Sequence, residues 1–442
     1  MKAIVRKSVL SGTVNIPYAK SYVHRYMMLE YFFGLSKKQF FDKTEKIDEF
    51  FYAYCYDLQA TRDALKNLSD DIPYIDCMDS ATTFRMLVPI VMSIKAKAIF
   101  RISKQLSKRP MDKLIGLIES CGSSVSQKDL GDCGIEITVK NKFQMKDFLL
   151  KDVDSSQYIS GLLIANAITG KGRIIVDGKI PSVPYINLTI EALSDYGFSV
   201  IQNTDKNNRS VFVVKKTDTN LVDVEKKVAQ NSIKYEDWSI RAYFEVMAAL
   251  GAEIDFRKSL TSVDKLSIAK SDIIQADYKV LELLGNQDNI LVFDFTNCID
   301  LLPLACAYVA IKKRKAIFSG VAKARGKESD RVKASCDMLS MLGISVDIKN
   351  PFSESEKILI YNDCDTCKED SEYLVSRTGI YIDGYNDHRI VISSVIALLF
   401  MTLGNKHSEI LGVISDVEAV EKSFPQFFDV MKELGAYIEF YT

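Results

Sequence analysis

The sequence has almost no net charge and no hydrophobic run long enough to cross a bilayer. Its 57 lysines and arginines are balanced by 58 aspartates and glutamates, which leaves a net charge of −1. Nucleic acids and anionic membranes attract proteins with excess positive charge, so this balance favours neither partner, and any anion binding must be local. The segment Met1–Lys7 lacks the apolar core of a signal peptide. We therefore expect a cytoplasmic protein.

The cysteines do not form a disulfide or metal pattern. There are nine, an odd number, and several stand in apolar segments, as Cys121 and Cys306 do. This usage suits buried thiols in a reducing compartment. Cys364 and Cys367 have the spacing of a zinc or redox pair, but no second pair follows and their surroundings are polar. We interpret them as part of a surface turn and predict no metal site.

One pattern recurs along the 442 residues: an amphipathic helix, a glycine that ends it, and a short alternating strand. Glycine suits the left-handed position that ends a helix, so the pattern predicts compact α/β modules of about 70 residues. A chain of this length also exceeds one compact domain, and we expect two domains of three modules each. The copies lie at 114–122, 190–197, 243–251, 336–343 and 427–435, with a sixth that lacks the glycine at 61–68.

Two further helical stretches, 160–167 and 389–399, are apolar nearly all round and are predicted to be buried. The domain division is expected near 235–239, with three modules on each side. Residues 37–56 are rich in charged and aromatic side chains and are interpreted as a helical insertion.

The stretch from Pro17 to Arg25 places Lys20, Ser21 and Arg25 at a helix start. Backbone N–H groups at a helix N-terminus carry partial positive charge, so these side chains would complete an anion site. The alternative is a capping Ser21 followed by an exposed Arg25. The pattern alone leaves both interpretations open.

Hydroxyl and basic side chains precede other predicted helices of the first half. Segment 78–85 offers a capping Asp79 or Ser80 and, one turn on, Arg85. Each of these segments is also a common cap or turn sequence. The remaining candidates here are Arg109, Ser155, Ser156, Gln157, Ser182 and Tyr185.

The second half supplies basic groups and carboxylates. Lys327 and Arg331 are predicted one helical turn apart, with a solvated charged face as the alternative. Asp300 stands in an apolar context, where its carboxylate must find a partner or desolvation raises its pKa. It either caps the helix near Pro303 or acts as a general base with a pKa raised towards the working pH. Arg389 and Lys422 also stand at helix starts.

Nine of these motifs follow the order and spacing of the 5-enolpyruvylshikimate-3-phosphate synthase family, which the chain resembles from about Gly12 to Phe428. The motifs are Lys20-Ser-x-x-x-Arg25, Ser80-Ala-Thr-Thr-x-Arg85, Arg109-Pro, Ser155-Ser-Gln157, Ser182-x-Pro-Tyr185, Asp300-x-x-Pro303, Lys327-Glu-x-Asp-Arg331, Asn386-Asp-His-Arg389 and Lys422-x-Phe-Pro425.

The resemblance implies an inside-out α/β fold of two domains that close on substrate. Each domain would hold three βαβαββ units, with buried helices and outer mixed sheets. Because the N-terminal strand of such proteins joins the second domain, the implied domains are 1–18 with 238–442, and 19–237. The crossovers would lie near 15–20 and 235–239.

The resemblance also implies a reaction: transfer of the enolpyruvyl group from phosphoenolpyruvate to the 5-hydroxyl of shikimate 3-phosphate, with release of phosphate. This step belongs to the chorismate route to aromatic amino acids and needs no metal or other cofactor. We expect a monomer whose partners are these two small molecules. Two phosphates and two carboxylates must be desolvated together, which explains the need for many cations.

Residue roles are carried over by position. Asp300 would accept the 5-hydroxyl proton, and Glu328, with Lys20 or Lys422, would protonate C3 of the enolpyruvate. The shikimate 3-phosphate set is Lys20, Ser21, Arg25, Ser155, Ser156, Gln157, Ser182, Tyr185, Asp300 and Lys327. The phosphoenolpyruvate set is Lys20, Ala81, Arg109, Gln157, Arg331, Arg389 and Lys422.

Among the departures from the family pattern, two bear on substrate binding, whereas Ala19 and Trp238 with Arg241 concern the crossovers. Asp79 adds a carboxylate near an anionic ligand, which should weaken binding unless it points away. Ala81 stands where the family has a glycine, and its methyl group should disfavour glyphosate, an inhibitor of the family, more than the smaller substrate.

Two other interpretations remain. The sister transferase that acts on UDP-N-acetylglucosamine shares the implied fold, but usually has Lys-Asn where this chain has Lys20-Ser21. A binding protein that kept the scaffold after losing catalysis would not need an acid and a base such as Glu328 and Asp300.

Overall fold

The computed structural model describes residues 1–34, 55–144, 147–217, 236–256, 275–362, 380–401 and 410–441. The chain forms two compact units. The C-terminal unit consists of Met1–Pro17 and Glu236–Thr442, and the N-terminal unit is Tyr18–Tyr235. Most of the predicted insertion at 37–56, and the pair Cys364 and Cys367, lie outside the described residues.

The N-terminal unit contains two four-stranded mixed sheets. In each, one parallel pair is extended by two antiparallel strands. Their strand orders are Tyr74–Asp76, Lys97–Ile102, Ile135–Lys140, Ser124–Asp129 and Phe148–Lys151, Ile174–Asp177, Ser210–Lys216, Phe198–Thr204. The helices are Lys20–Phe33, Tyr56–Asn67, Ala81–Ile94, Lys104–Ser107, Asp112–Ser120, Ser156–Thr169 and Val183–Asp195, with a 3-10 turn at Gly131–Cys133.

The C-terminal unit repeats this sheet pattern twice. Its strand orders are Ile290–Asp294, Lys315–Ser319, Lys357–Tyr361, Ser345–Lys349 and Ile380–Ile382, Ile410–Ser415, Lys2–Arg6, Ile438–Tyr441, and a parallel pair joins Ser11–Val14 to Glu253–Phe256. The α-helices are Trp238–Ala249, Val280–Gly285, Leu302–Ile311, Arg331–Met341, His388–Phe400 and Phe427–Glu433. Four 3-10 segments lie at Ala276–Lys279, Ile299–Leu301, Ala322–Gly326 and Val417–Lys422.

The order strand, helix, strand, helix, strand, strand underlies all four of these sheets. In the last of them the fourth strand is Lys2–Arg6, which pairs antiparallel with both Ile410–Ser415 and Ile438–Tyr441. The N-terminal strand therefore completes a module whose other strands come from the C-terminal end of the sequence.

The predicted helix, glycine and strand pattern is confirmed at all five complete copies. Each glycine has a positive φ, between 78° and 107°, which residues with a Cβ rarely adopt. The strand then begins within three residues of the glycine. The five glycines are Gly122, Gly197, Gly251, Gly343 and Gly435.

The predicted buried helices are also confirmed. Helix Ser156–Thr169 is buried at ten consecutive positions from Tyr158 to Ala167, and helix His388–Phe400 at every position to Leu398. In the strand Lys97–Ile102 alternate residues are buried, so one face of this strand packs against the interior. A Cβ on Gly161 would come within 2.6 Å of the backbone oxygen of Met86, so glycine permits the close approach of two buried helices.

The helices of the described residues are all shorter than a bilayer-spanning segment. The longest helices there have 14 residues, and none has the length and hydropathy of a bilayer-spanning segment.

Candidate active site residues

Lys20 is the first residue of its helix, as predicted. Ala19 precedes it and supplies no capping side chain. The Nζ atom of Lys20 lies 2.6 Å from Oδ2 of Asp57, which is largely buried. Asp57 could not be predicted as a partner of Lys20 because it stands 37 residues away, at the start of the next described helix.

Arg25 is buried, so the alternative of a capping Ser21 with an exposed Arg25 is wrong. Its guanidinium donates to Thr189 Oγ1 at 2.6 Å, to Ser160 Oγ at 3.2 Å and to the Tyr185 carbonyl at 2.9 Å. Burial lowers its pKa to about 10, which still leaves it charged at neutral pH. Arg25 thus links its own helix to the helices Ser156–Thr169 and Val183–Asp195, and its contact with substrate stays a prediction.

Hydrogen bonds connect His24, four residues after Lys20, to a series of hydroxyl groups. His24 Nδ1 lies 2.7 Å from Thr61 Oγ1, which lies 2.7 Å from Thr83 Oγ1, which in turn donates to Ser80 Oγ at 2.8 Å. Ser80 also caps the helix Ala81–Ile94 by accepting from the Thr83 N–H. These bonds fix the start of the helix that carries Ala81 relative to the helix that carries Lys20.

His24 should make the folded state sensitive to mild acid. Burial lowers its pKa to about 3; Asp57 opposes the shift, and Lys20 and Arg25 add to it. The unfolded chain takes up this proton below a pKa of about 6.5, so stability falls as the pH falls below that value. Between pH 7.5 and 5.0 we expect wild type to lose about 2 kcal/mol of unfolding free energy more than His24→Gln. Urea denaturation at the two pH values measures this, and equal losses would contradict it.

Gln157 and Arg85 connect the neighbouring helix starts. Gln157 Nε2 donates to Thr82 Oγ1 at 2.8 Å, and Arg85 Nη1 donates to the Gln157 side-chain oxygen at 3.4 Å. Arg85 Nη2 also donates to the Pro110 carbonyl at 3.2 Å, next to Arg109. Asp79 accepts a hydrogen bond from the Ser103 hydroxyl, while Ser80 is the cap.

The other candidates of this unit lie at two helix starts. Ser155 caps the helix Ser156–Thr169 by accepting from the Gln157 N–H at 3.3 Å, and Ser156 is buried. Ser182 precedes Val183–Asp195 with a left-handed φ of 49°, and Tyr185 lies in that helix's first turn. Their contacts with substrate stay predictions.

In the C-terminal unit, Arg331 lies at the centre of a carboxylate cluster and is 1% exposed. Its Nε lies 2.7 Å from Asp387, its Nη1 lies 2.5 Å from Asp300, and its Nη2 lies 2.5 Å from Glu328. Burial alone would lower the pKa of Arg331, but these carboxylates outweigh it and raise the pKa. The solvated charged face considered for this segment is therefore wrong at Arg331.

Asp300 contacts three cations. Besides Arg331, Lys327 Nζ lies 3.3 Å and Arg389 Nη2 lies 3.6 Å from its carboxylate. Burial would raise the pKa of Asp300, but the three cations hold it well below the usual range. The raised pKa expected for a general base is therefore wrong, because Asp300 has three cationic partners that its apolar neighbours in the sequence do not reveal. The capping alternative is also wrong, since no side chain caps the helix Leu302–Ile311.

The remaining candidates join the same cluster. Lys422 Nζ lies 3.7 Å from Glu328, but Lys422 ends the 3-10 segment Val417–Lys422, so its predicted position at the start of the final helix is wrong. Arg389 lies in the first turn of His388–Phe400, a helix capped by Asp387. Lys327 precedes the helix Arg331–Met341 instead of lying one turn back within it. The predicted helical spacing is therefore wrong, although both side chains reach Asp300.

The sequence model of the family described as EPSP synthase (3-phosphoshikimate 1-carboxyvinyltransferase) matches residues 59–431, most of the chain. This chain belongs to the EPSP synthase family. The resemblance drawn from the motifs is thereby confirmed, and so are the predicted enzyme class and reaction: EPSP synthases transfer the enolpyruvyl group of phosphoenolpyruvate to shikimate 3-phosphate in aromatic amino acid biosynthesis.

Relatives of this EPSP synthase family member cover nearly its whole length. The 3-phosphoshikimate 1-carboxyvinyltransferases of Clostridium botulinum (strain Alaska E43 / Type E3) and Clostridium beijerinckii are each 27% identical to it, over 96% of this chain and 95% of theirs. An EPSP synthase structure from Acinetobacter baumannii matches with a TM-score of 0.62 at 19% identity, over 99% of both chains. The enolpyruvyl transferase NikO from Streptomyces tendae matches with a TM-score of 0.58 at 11% identity, over 99% of this chain and 98% of NikO. The solved structures support the fold alone, and they confirm the predicted two-domain α/β fold class.

Proposed function

We propose that this chain transfers the enolpyruvyl group from phosphoenolpyruvate to the 5-hydroxyl of shikimate 3-phosphate by means of the residues described above. The observation that carries the assignment of roles is the cluster around Asp300 and Arg331. It combines two carboxylates that can exchange protons with four cations that can bind anions: Lys327, Arg331, Arg389 and Lys422.

In the proposed mechanism Asp300 accepts the 5-hydroxyl proton while the oxygen forms a bond to C2 of phosphoenolpyruvate. Glu328, together with Lys20 or Lys422, delivers a proton to C3, which gives a tetrahedral intermediate. The intermediate then loses the C3 proton and the C2–O bond to phosphate, and the enol double bond re-forms. The cations stabilise the negative charge of the phosphate as it leaves.

The N-terminal unit is assigned most of the groups that bind shikimate 3-phosphate. In its described part, the starts of the helices that carry Lys20, Ala81 and Gln157 are linked by hydrogen bonds. Hydroxyl, amide and ammonium groups held at linked helix starts suit a phosphate together with ring hydroxyls. Arg109 and Gln157 are assigned to phosphoenolpyruvate by position.

The direct test is release of inorganic phosphate from shikimate 3-phosphate plus phosphoenolpyruvate by purified full-length protein. UDP-N-acetylglucosamine as the alternative acceptor tests the sister reaction, and Asp300→Asn is the inactive control. We expect phosphate release when shikimate 3-phosphate is the acceptor, and none when UDP-N-acetylglucosamine is the acceptor. Binding of shikimate 3-phosphate without any release would instead indicate a scaffold that has lost catalysis.

The proposal includes a cytoplasmic monomer. Support for a reducing compartment comes from the seven described cysteines, all of which are free thiols and six of which are buried. Light scattering coupled to gel filtration, with an expected mass near the 49.8 kDa of the chain, tests the oligomeric state.

Ala81 should reduce sensitivity to glyphosate. It is the first residue of the helix Ala81–Ile94, directly after the capping Ser80, and it is assigned to the phosphoenolpyruvate site. Because its methyl group narrows that site, Ala81→Gly should lower the inhibition constant for glyphosate by about tenfold or more and change the KM for phosphoenolpyruvate much less. Steady-state inhibition assays of the two proteins measure both constants. Equal inhibition of wild type and Ala81→Gly would show that the methyl group does not set glyphosate sensitivity.

A further inference from the structure

Arg331 has three carboxylate partners, and one of them is built into the fold. Asp387 is 0% exposed, and its carboxylate accepts hydrogen bonds from Nε and Nη2 of the guanidinium at 2.7 Å and 3.1 Å. The same carboxylate accepts from the Ser329 hydroxyl and from the backbone N–H of Arg389, both at 2.9 Å. Since these bonds hold Asp387 from several directions, it cannot leave Arg331 without disrupting the helix start that it caps.

The other two partners are placed differently. Asp300 contacts Nη1 and Glu328 contacts Nη2, and their side chains are 20% and 12% exposed. Neither is the cap of a described helix. A partly exposed carboxylate can rotate away from an arginine and be hydrated, whereas a fully buried one cannot.

These contacts occupy every nitrogen of the Arg331 guanidinium. Nε is bonded to Asp387, Nη1 to Asp300, and Nη2 to both Asp387 and Glu328. The guanidinium has five N–H groups and these carboxylates accept from four of them, because Nη1 has a second N–H. An anion that binds Arg331 through a pair of N–H groups, as phosphates and carboxylates commonly do, must therefore take the place of a carboxylate. Asp300 and Glu328, the two partly exposed carboxylates, are the ones that an anion can displace.

We propose that Asp300 and Glu328 are placeholder ligands of Arg331, which the anionic groups of phosphoenolpyruvate displace on binding while Asp387 stays in place. The inference rests on the proposed function, because it takes Arg331 as a ligand of phosphoenolpyruvate. Its consequence is a coupling between binding and proton transfer. When the substrate occupies the arginine, Asp300 loses a cationic partner, so its affinity for the 5-hydroxyl proton increases at the moment when that proton must move.

The test is binding of inorganic phosphate to full-length protein saturated with shikimate 3-phosphate, measured by isothermal titration calorimetry. Phosphate is the probe because it forms no product with shikimate 3-phosphate. Asp300→Asn and Glu328→Gln keep the shape of each partner but replace a charge-assisted hydrogen bond by a weaker neutral one. We expect phosphate to bind about tenfold more tightly to Asp300→Asn and about threefold more tightly to Glu328→Gln.

Two further variants separate this exchange from a general loss of negative charge. Asp330→Asn removes a carboxylate next to Arg331 in sequence that contacts Arg325, and asparagine can still cap the helix. Its phosphate affinity should stay within about twofold of wild type, since no exchangeable partner of Arg331 is lost. Asp387→Asn should have the opposite effect and weaken phosphate binding by about tenfold, because Arg331 loses its fixed support.

The inference is overturned if Asp300→Asn binds phosphate no more tightly than wild type or shows no measurable binding. It is also overturned if Asp330→Asn tightens binding as much as Asp300→Asn does. The phosphate-release assay on wild type keeps the two proposals apart. A wild type that turns over, with an Asp300→Asn variant that binds phosphate no more tightly, contradicts the placeholder role alone, whereas a wild type without turnover contradicts the proposed function.

Discussion

Asp300→Asn should lower kcat by about 10²- to 10⁴-fold, the range that a positioned general base contributes. Asparagine has nearly the shape of aspartate and can still accept from Arg331, but it cannot take the 5-hydroxyl proton. The binding of shikimate 3-phosphate should change much less than kcat. Single-turnover phosphate release at saturating substrate measures the effect. A variant that retains more than a tenth of the wild-type rate would remove Asp300 from the proposed chemistry.

The cations around Asp300 should also shape the pH profile of the reaction. Burial favours the protonated form, but Lys327, Arg389 and Arg331 outweigh burial and keep the pKa well below its usual range. Because kcat/KM reports the ionisation of the free enzyme, it should show no loss from protonation of Asp300 between pH 5 and pH 8. If kcat/KM of wild type falls towards acid pH in that interval and kcat/KM of Glu328→Gln does not, the fall must be assigned to protonation of Glu328 and not of Asp300.

Arg331→Met should destabilise the protein and also abolish phosphoenolpyruvate binding. The substitution leaves the fully buried Asp387 without its bidentate partner, and breaking a buried ion pair on one side costs about 3–5 kcal/mol. The anion site loses a cation at the same time. Urea denaturation at pH 7 measures the first effect, and phosphoenolpyruvate titration of the folded variant measures the second.

Arg325→Met is the matched control for this substitution. Arg325 forms an ion pair with Glu356, which is 0% exposed. Its Nε lies 3.1 Å and 3.0 Å from the two carboxylate oxygens of Glu356, and its Nη2 lies 2.6 Å from one of them. It is assigned to neither substrate. Arg325→Met should therefore lose comparable stability, while the folded protein keeps its KM for phosphoenolpyruvate. If both variants lost phosphoenolpyruvate affinity equally, the loss at Arg331 would reflect general destabilisation and not a role in binding.

Much of the fold could be predicted because it is specified locally. A helix end requires a residue that tolerates positive φ, and the five glycines that mark the modules all have that conformation in the structure. Helices without a polar face must be buried, which placed Ser156–Thr169 and His388–Phe400 in the interiors of their units. Because the spacing of glycines and apolar residues can be read from the sequence, the modules and their buried helices could be predicted from it.

The site was only partly readable in the same way. The positions of Lys20, Ser155 and Arg389 at helix starts could be predicted, because a helix start places a residue through the local backbone alone, whereas Lys327 and Lys422 lie outside the helices expected for them. The partners of those side chains could not be predicted. Asp57 reaches Lys20 across 37 residues and Asp387 reaches Arg331 across 56, and no spacing rule connects positions so far apart.

The sequence by itself thus determined the modules, the buried helices and the family to which the chain belongs. Three features were decided by the tertiary structure alone. Arg25 is buried and links three helices, and each guanidinium nitrogen of Arg331 contacts a carboxylate. The pKa of Asp300 is lowered and not raised. The physical reason is that such a pKa is the sum of opposing effects from burial and from neighbouring charges. The second effect varies over a few ångströms, and only the folding of distant segments against one another sets those distances.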